Sequence, residues 1–165
     1  MITIDKKEFR TDKNGILLIQ EKIEANTCKT NVSPQLMFRQ SYTGLTGKIF
    51  VGNWTSNGFW ISKFRLQLFQ LRPDIITQFY IESETSYEKV TMKSSIGFSS
   101  LFTGLIWIIL FSTPFAAFGL IGFLVAVAAM ILFYSYLTSI EYDRMIKAIQ
   151  NNIVVGIYKP KGSLV

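Results

Sequence analysis

From Lys93 onward the chain changes character: positions 94 to 140 carry no charged side chain, 47 residues in succession, whereas charges recur every few positions before and after them. A membrane-spanning helix needs about 20 predominantly apolar residues, so this stretch has room for two crossings and a short connection. The first predicted crossing covers 96–112 and stops at Thr113-Pro114, because proline lacks the N–H that a continuing helix requires. The second runs over about 115–137 and ends near Tyr134 and Tyr136, aromatic residues suited to a membrane interface. Backbone polar groups in hydrocarbon must pair within the protein, so both segments are expected to be helices, joined as an antiparallel hairpin.

Ahead of that stretch the period shortens to two. Between Gly47 and Lys93 apolar and polar positions alternate, which predicts four half-buried strands. Lys48–Trp54 and Phe59–Leu71 flank Thr55-Ser-Asn-Gly58, and the Asn57-Gly58 pair suits a tight hairpin turn. Within the longer run Phe64, Leu66 and Leu68 fall out of step with Phe69 and Leu71, which predicts a bulge near Leu68. Past Arg72-Pro73-Asp74, Phe79 and Ile81 alternate with Gln78, Tyr80 and Glu82; past 83–86, Val90 and Met92 alternate with Lys89, Thr91 and Lys93. The expected arrangement is an antiparallel meander.

Three further elements are expected at the flanks. Gly15–Glu24 reads as one more strand, and Ser33-Pro34 has the cap chemistry of a short helix bearing Leu36, Met37 and Phe38. Beyond the second crossing Ile140, Met145, Ile146, Ile149 and Ile153 recur at helical spacing, so that helix is expected to continue to about Asn151-Asn152 with an apolar stripe in need of a partner. The tail from Ile153 to Val165 either adds a last strand or hangs free. The fold class is therefore an α+β membrane protein: a cytosolic domain over 1–93, a two-helix transmembrane hairpin within 94–140, and a helix extension and tail over 141–165.

Charge orients this plan. Lys89 and Lys93 precede the first crossing, Arg144 and Lys147 follow the second, and the connection between them carries no cation, so both termini are expected in the cytoplasm of a bacterial inner membrane. The amino terminus is charged from Asp5 and lacks an apolar leader, which agrees with that side. The net charge of +6 comes from scattered basic residues rather than a nucleic-acid-binding stripe, so membrane lipid is the nearer partner. Lys63, Arg65, Lys89 and Lys93 are the candidate surface for lipid headgroups or a partner, provided they share the polar face of the meander. Small residues at Gly97, Ser100 and Gly104, and at Gly122, Ala126 and Ala129, are the candidate helix-packing or oligomer face.

Candidate reaction chemistry is sparse. The sequence has no histidine and one cysteine, Cys28, so neither a histidine-based triad nor a zinc site is expected, and no cofactor. Glu82, Glu84 and Glu88 read as a solvated turn, and Gly44-Leu-Thr-Gly47-Lys48 lacks the glycine spacing of a phosphate loop. Ion-pathway residues are missing from the apolar stretch, which argues against a pump.

The segments Thr46–Gly52, Asn57–Lys63, Pro73–Ile81 and Val90–Trp107 resemble an uncharacterised family of small bacterial membrane proteins in which a short strand-rich domain precedes a two-helix hairpin. Phe50-Val51-Gly52 and Phe59-Trp60-Ile61-Ser62-Lys63 stand where that family has its first two strand motifs. Phe69-Gln70-Leu71-Arg72-Pro73 replaces its Arg-Asn-Ser-Phe-x-Pro signature, and the glycine that follows it there is missing. The resemblance implies the architecture and no activity. The functional expectation is a non-enzymatic inner-membrane protein whose cytosolic domain binds a partner protein or lipid headgroups; the expected partners are membrane lipid and either another protein or further copies in a homo-oligomer, with no nucleic acid. The alternative is a membrane-disrupting effector, or its immunity partner, acting through hairpin oligomerisation.

Overall fold

The computed structural model describes residues 2–30, 48–56, 58–63, 72–83 and 87–154. Strand β1 (Ile2–Thr11) leads into helix α1 (Lys13–Asn26) and the short strand β2 (Thr27–Lys29); β3 (Phe50–Thr55), β4 (Gly58–Lys63), β5 (Ile75–Ser83) and β6 (Glu88–Ile96) follow. Helix α2 (Phe98–Ser112) continues through a 3-10 stretch (Thr113–Phe118) into the 34-residue helix α3 (Gly119–Asn152). The class is α+β: a six-stranded sheet in the order β1-β6-β5-β4-β3-β2, antiparallel except where β2 meets β3, and a long C-terminal helical segment.

The four strands expected between Gly47 and Lys93 are β3 to β6, neighbours in chain order and antiparallel throughout. Strand β4 ends at Lys63, and the expected bulge near Leu68 and helix after Ser33-Pro34 lie outside the described residues. One element changes type. The strand expected at Gly15–Glu24 is helix α1, because the Asp12 carboxylate caps it by accepting the Gly15 N–H at 2.8 Å and Ile16, Ile19 and Ile23 then fall on one buried face. Strand β1 was not expected, since its alternation of Asp, Lys and Glu offers little apolar contrast; it pairs along β6 from Ile2 opposite Ile96 to Thr11 opposite Glu88.

The main core cluster lies on one face of the sheet, and Val51, Trp60 and Ile76 are buried on the other. Phe50, Phe59, Ile61, Ile75, Phe79, Val90 and Met92 point toward Ile16, Ile19 and Ile23 of α1 and toward Met145, Ile146 and Ile149 at the end of α3. Phe59 and Phe79 stack with ring centroids 4.4 Å apart. The apolar stripe after the uncharged stretch thus finds its partner in the sheet, and each buried aliphatic side chain there contributes about 1.5–3 kcal/mol. Asn26 fastens the two helix ends together, donating to the carbonyls of Lys22 at 2.8 Å and Asn152 at 3.3 Å.

The two separate membrane helices expected over 96–112 and 115–137 are corrected by the helical boundaries. Among the described residues one helical segment, Phe98–Asn152, is long and apolar enough to cross a membrane. Within it α2 ends at Ser112, just before Thr113-Pro114 as expected, and Pro114 takes the first turn of the 3-10 stretch, where a missing N–H costs no hydrogen bond. On its own α2 has 15 residues, below the length of a full crossing. It touches α3 through Tyr134, whose hydroxyl donates to the Ser100 carbonyl at 2.7 Å.

Candidate functional site

The strand register decides which end of the sheet meets the helices. Ile75 and Ile2 both lie opposite Ile96, and Gly97 follows as the cap of α2. The loop before β5 is locked to that cap from both sides: the Gly97 N–H donates to the Asp74 carbonyl at 3.2 Å, and the Asp74 N–H donates to Ser100 Oγ at 2.9 Å. Ile2, Ile4 and Phe98 stand exposed at this end.

Beside this junction α3 presents Glu141, the first charged residue after the uncharged stretch. Its side chain is 1% exposed, in a shallow cleft formed with Ser62, Lys63, Asp74, Ile75 and Met145. A carboxylate taken out of water needs close cations and donors. Arg144, one turn along α3, donates from Nη1 to Glu141 Oε1 at 2.8 Å, and Arg72 reaches the same oxygen from the loop before β5 at 3.5 Å. Both arginine side chains remain half exposed, at 47%. Two arginines from different elements therefore converge on one buried carboxylate where helix and sheet meet.

A second contact ties the amino-terminal strand to the same helix. Tyr142 donates its hydroxyl to Asp5 Oδ2, and Lys7 lies 5.8 Å from the centre of the Tyr142 ring. The hydrogen bond from Tyr142 holds the Asp5 carboxyl below its ordinary pKa, while burial, reinforced by Asp5, pushes the Tyr142 phenol above its own.

Among the described residues the expected basic positions fall on different faces of the sheet. Lys63 lies opposite Phe50, on the core face and in the Glu141 cleft, whereas the pairing places Lys89 and Lys93 on the opposite face of the sheet. Lys89 sits at the far end of β6, 3.2 Å from Glu8 and 3.9 Å from Glu82, and Lys93 lies mid-strand between Lys6 and Gln78. Arg65 lies outside the described residues. Counting alternation across a loop fails here because the register of β4 against β5 and β6, not sequence parity, sets the face. Glu88, expected as part of a solvated turn, is buried and accepts from Ser83 Oγ at 2.6 Å.

The small residues divide as well. Gly97 and Ser100 hold the sheet junction, Gly104 lies under the Tyr134 ring, and Ala126 is buried; Gly122 faces Phe115 and Phe118 of the neighbouring 3-10 stretch, and Ala129 is exposed. Arg72, Asp74, Glu141 and Arg144 were not singled out by sequence reasoning as a site. The available signal was Glu141, an acidic residue ending the uncharged run where a cation is usual. Among the described residues no three His, Cys, Asp or Glu side chains are grouped to hold a metal ion. The chain matches no family model, no curated protein and no solved structure.

Proposed function

We propose that this chain is a non-enzymatic membrane protein that holds its sheet domain at the cytoplasmic face of the bilayer, where the domain binds a partner protein or lipid headgroups. One observation carries the reading: the large apolar side chains of the helical segment stand exposed rather than packed into the core of the domain. The core helix of a water-soluble domain hides such a surface, whereas a long helical segment that leaves most of its large apolar side chains uncovered requires lipid. Phe118 is 78% exposed, Leu120 72%, Ile121 78% and Leu132 72%.

In this reading the helical segment over 98–140 lies in the membrane, with α2 packed against α3. The part of α3 over 119–140 extends about 33 Å at 1.5 Å per residue, enough for one crossing. Helix α2, at about 22 Å, is shorter than a full crossing and lies against α3 at Gly104 and Tyr134. The exposed Ile2, Ile4 and Phe98 then meet the interface, and Lys93, Arg144 and Lys147 stand on the cytoplasmic side. Because α3 passes without a break into the core of the domain, the domain is fixed to its anchor rather than tethered by a linker. That rigidity favours a platform for a partner over a mobile enzyme domain.

Alkaline carbonate extraction followed by flotation tests the anchor, and maleimide labelling of Cys28 tests the side. The tagged chain is expected to stay with the membranes, with Cys28 labelled by an impermeant reagent only after permeabilisation. Recovery in the soluble fraction would overturn the anchor, and labelling in intact cells the orientation. Native mass spectrometry of gently extracted protein then reads partner, lipid and copy number. A bare homo-oligomer that leaks dye-loaded vesicles would favour the effector reading instead.

A further inference from the structure

We infer that Arg72 and Arg144 form a site for the phosphate of an anionic phospholipid headgroup, with Glu141 as the post that holds both guanidinium groups in place. The inference rests on the membrane reading above and adds the ligand class. Both arginines direct Nη1 at the one oxygen, Glu141 Oε1, at 3.5 and 2.8 Å, yet each keeps about half of its side-chain area open. A guanidinium has five N–H donors in a planar fork, so one shared carboxylate oxygen engages only part of the donor capacity of each half-exposed arginine. Arg72, Arg144 and Lys63 against Glu141 and Asp74 also leave one net positive charge around the cleft.

Depth in the bilayer selects the ligand. Glu141 directly follows the uncharged stretch, and the exposed Tyr136 lies little more than one turn below it, at the level where aromatic residues meet headgroups. Arg72 belongs to the loop whose next residues are bonded to the first turn of α2, so the second guanidinium is held at the same level. Phosphate is the group that lies at this height, and a pair of arginine forks suits its tetrahedral oxygens. Lys89 and Lys93, by contrast, belong to the opposite face of the sheet, and Lys89 lies near Glu8 and Glu82.

The test is native mass spectrometry of the full chain in detergent, titrated with phosphatidylglycerol and, separately, with phosphatidylcholine. Wild-type protein is expected to retain phosphatidylglycerol at least about tenfold better. The Arg72→Gln/Arg144→Gln variant is expected to lose that preference, and Lys89→Gln/Lys93→Gln to keep it. Inorganic phosphate at millimolar concentration is expected not to compete, because the site draws affinity from the acyl chains beside it; full competition would identify a free-anion site and overturn the lipid assignment. Equal retention of the two lipids by wild-type protein overturns the proposal without any variant, so a misfolded arginine variant cannot shield it. Were the chain instead soluble on carbonate extraction, the membrane reading itself would have failed; embedded but unselective protein refutes the headgroup site alone.

Discussion

The ring of Tyr134 on α3 lies over Gly104 on α2, and its hydroxyl donates to the carbonyl of Ser100 about one turn earlier on the same helix. A Cβ at position 104 would come within 2.6 Å of the ring carbon Cζ, closer than any carbon contact allows. Small residues permit this approach between helices, and a polar hydroxyl then finds its partner in the facing backbone.

Gly104→Leu is therefore expected to lower stability by about 1–3 kcal/mol through overpacking. Ala129→Leu, on an exposed part of α3, is expected to change it by less than about 0.5 kcal/mol. Thermal unfolding in detergent separates the two; a large effect at Ala129 would instead place that position in a contact between copies. Tyr134→Phe keeps the ring and removes the hydrogen bond, with an expected cost of about 0.6 kcal/mol.

Breaking the Glu141 cluster has an asymmetric cost. Arg144→Ala withdraws the closer cation from a buried carboxylate and is expected to destabilise by about 1–3 kcal/mol, whereas the half-exposed arginines can be solvated when Glu141→Gln removes their shared partner. The arginine variant is therefore expected to unfold at a lower temperature than the glutamine variant. The reverse order would mean that the carboxylate is not the costly member.

Much of this architecture is legible in the sequence because it rests on local patterns. The alternation around Phe79 and around Val90 and Met92 marks strands whose buried and polar sides differ strongly. The stripe Met145, Ile146 and Ile149 marks a helix that needs a partner. Helix α1 was misread because Leu17 and Leu18, both exposed, fill in the pattern of Ile16, Ile19 and Ile23 and blur a period of 3.6 into a continuous apolar run. The candidate site was less legible still. Arg72 and Glu141 are 69 residues apart, and only the register of the sheet and the docking of α3 bring them together. Pro114 was legible: α2 ends at Ser112, directly before Thr113-Pro114, and the proline takes the first turn of the 3-10 stretch that follows.

The turn into β4 yields a sharper backbone test. Gly58 has φ +148° and lies opposite Thr55 and Tyr80, and a Cβ there would fall 1.8 Å from the Phe79 carbonyl oxygen. Gly58→Ala must both strain the backbone and push β4 from β5, for an expected loss of about 1–3 kcal/mol or more. Thermal unfolding of the variant checks this, and a change below about 0.5 kcal/mol would rule out the close approach of the two strands.

The link between Asp5 and Tyr142 predicts a pH dependence for the docking of β1 on the helix. The Tyr142 hydrogen bond lowers the folded pKa of Asp5 below its ordinary 3.8, so its contribution is fully present above that value and is lost as pH falls through the lower folded value. Tyr142 runs the other way: burial and Asp5 raise its folded pKa above the ordinary 10.0, so its contribution is present below pH 10 and declines as pH rises beyond it. Tyr142→Phe removes the bond, and because Asp5 is partly solvated the expected cost at neutral pH is about 0.5–1 kcal/mol. Amide hydrogen exchange along Ile2–Thr11 reads this locally. Protection there is expected to be lower in the variant between pH 5 and 8 after correction for intrinsic exchange. Thermal unfolding of the two proteins is expected to converge as pH drops below about 3.8, where the Asp5 carboxylate is protonated in the unfolded chain and increasingly in the folded one. A gap that stays constant from pH 7 to pH 2.5 would show that the carboxylate's charge contributes nothing to holding β1 against α3.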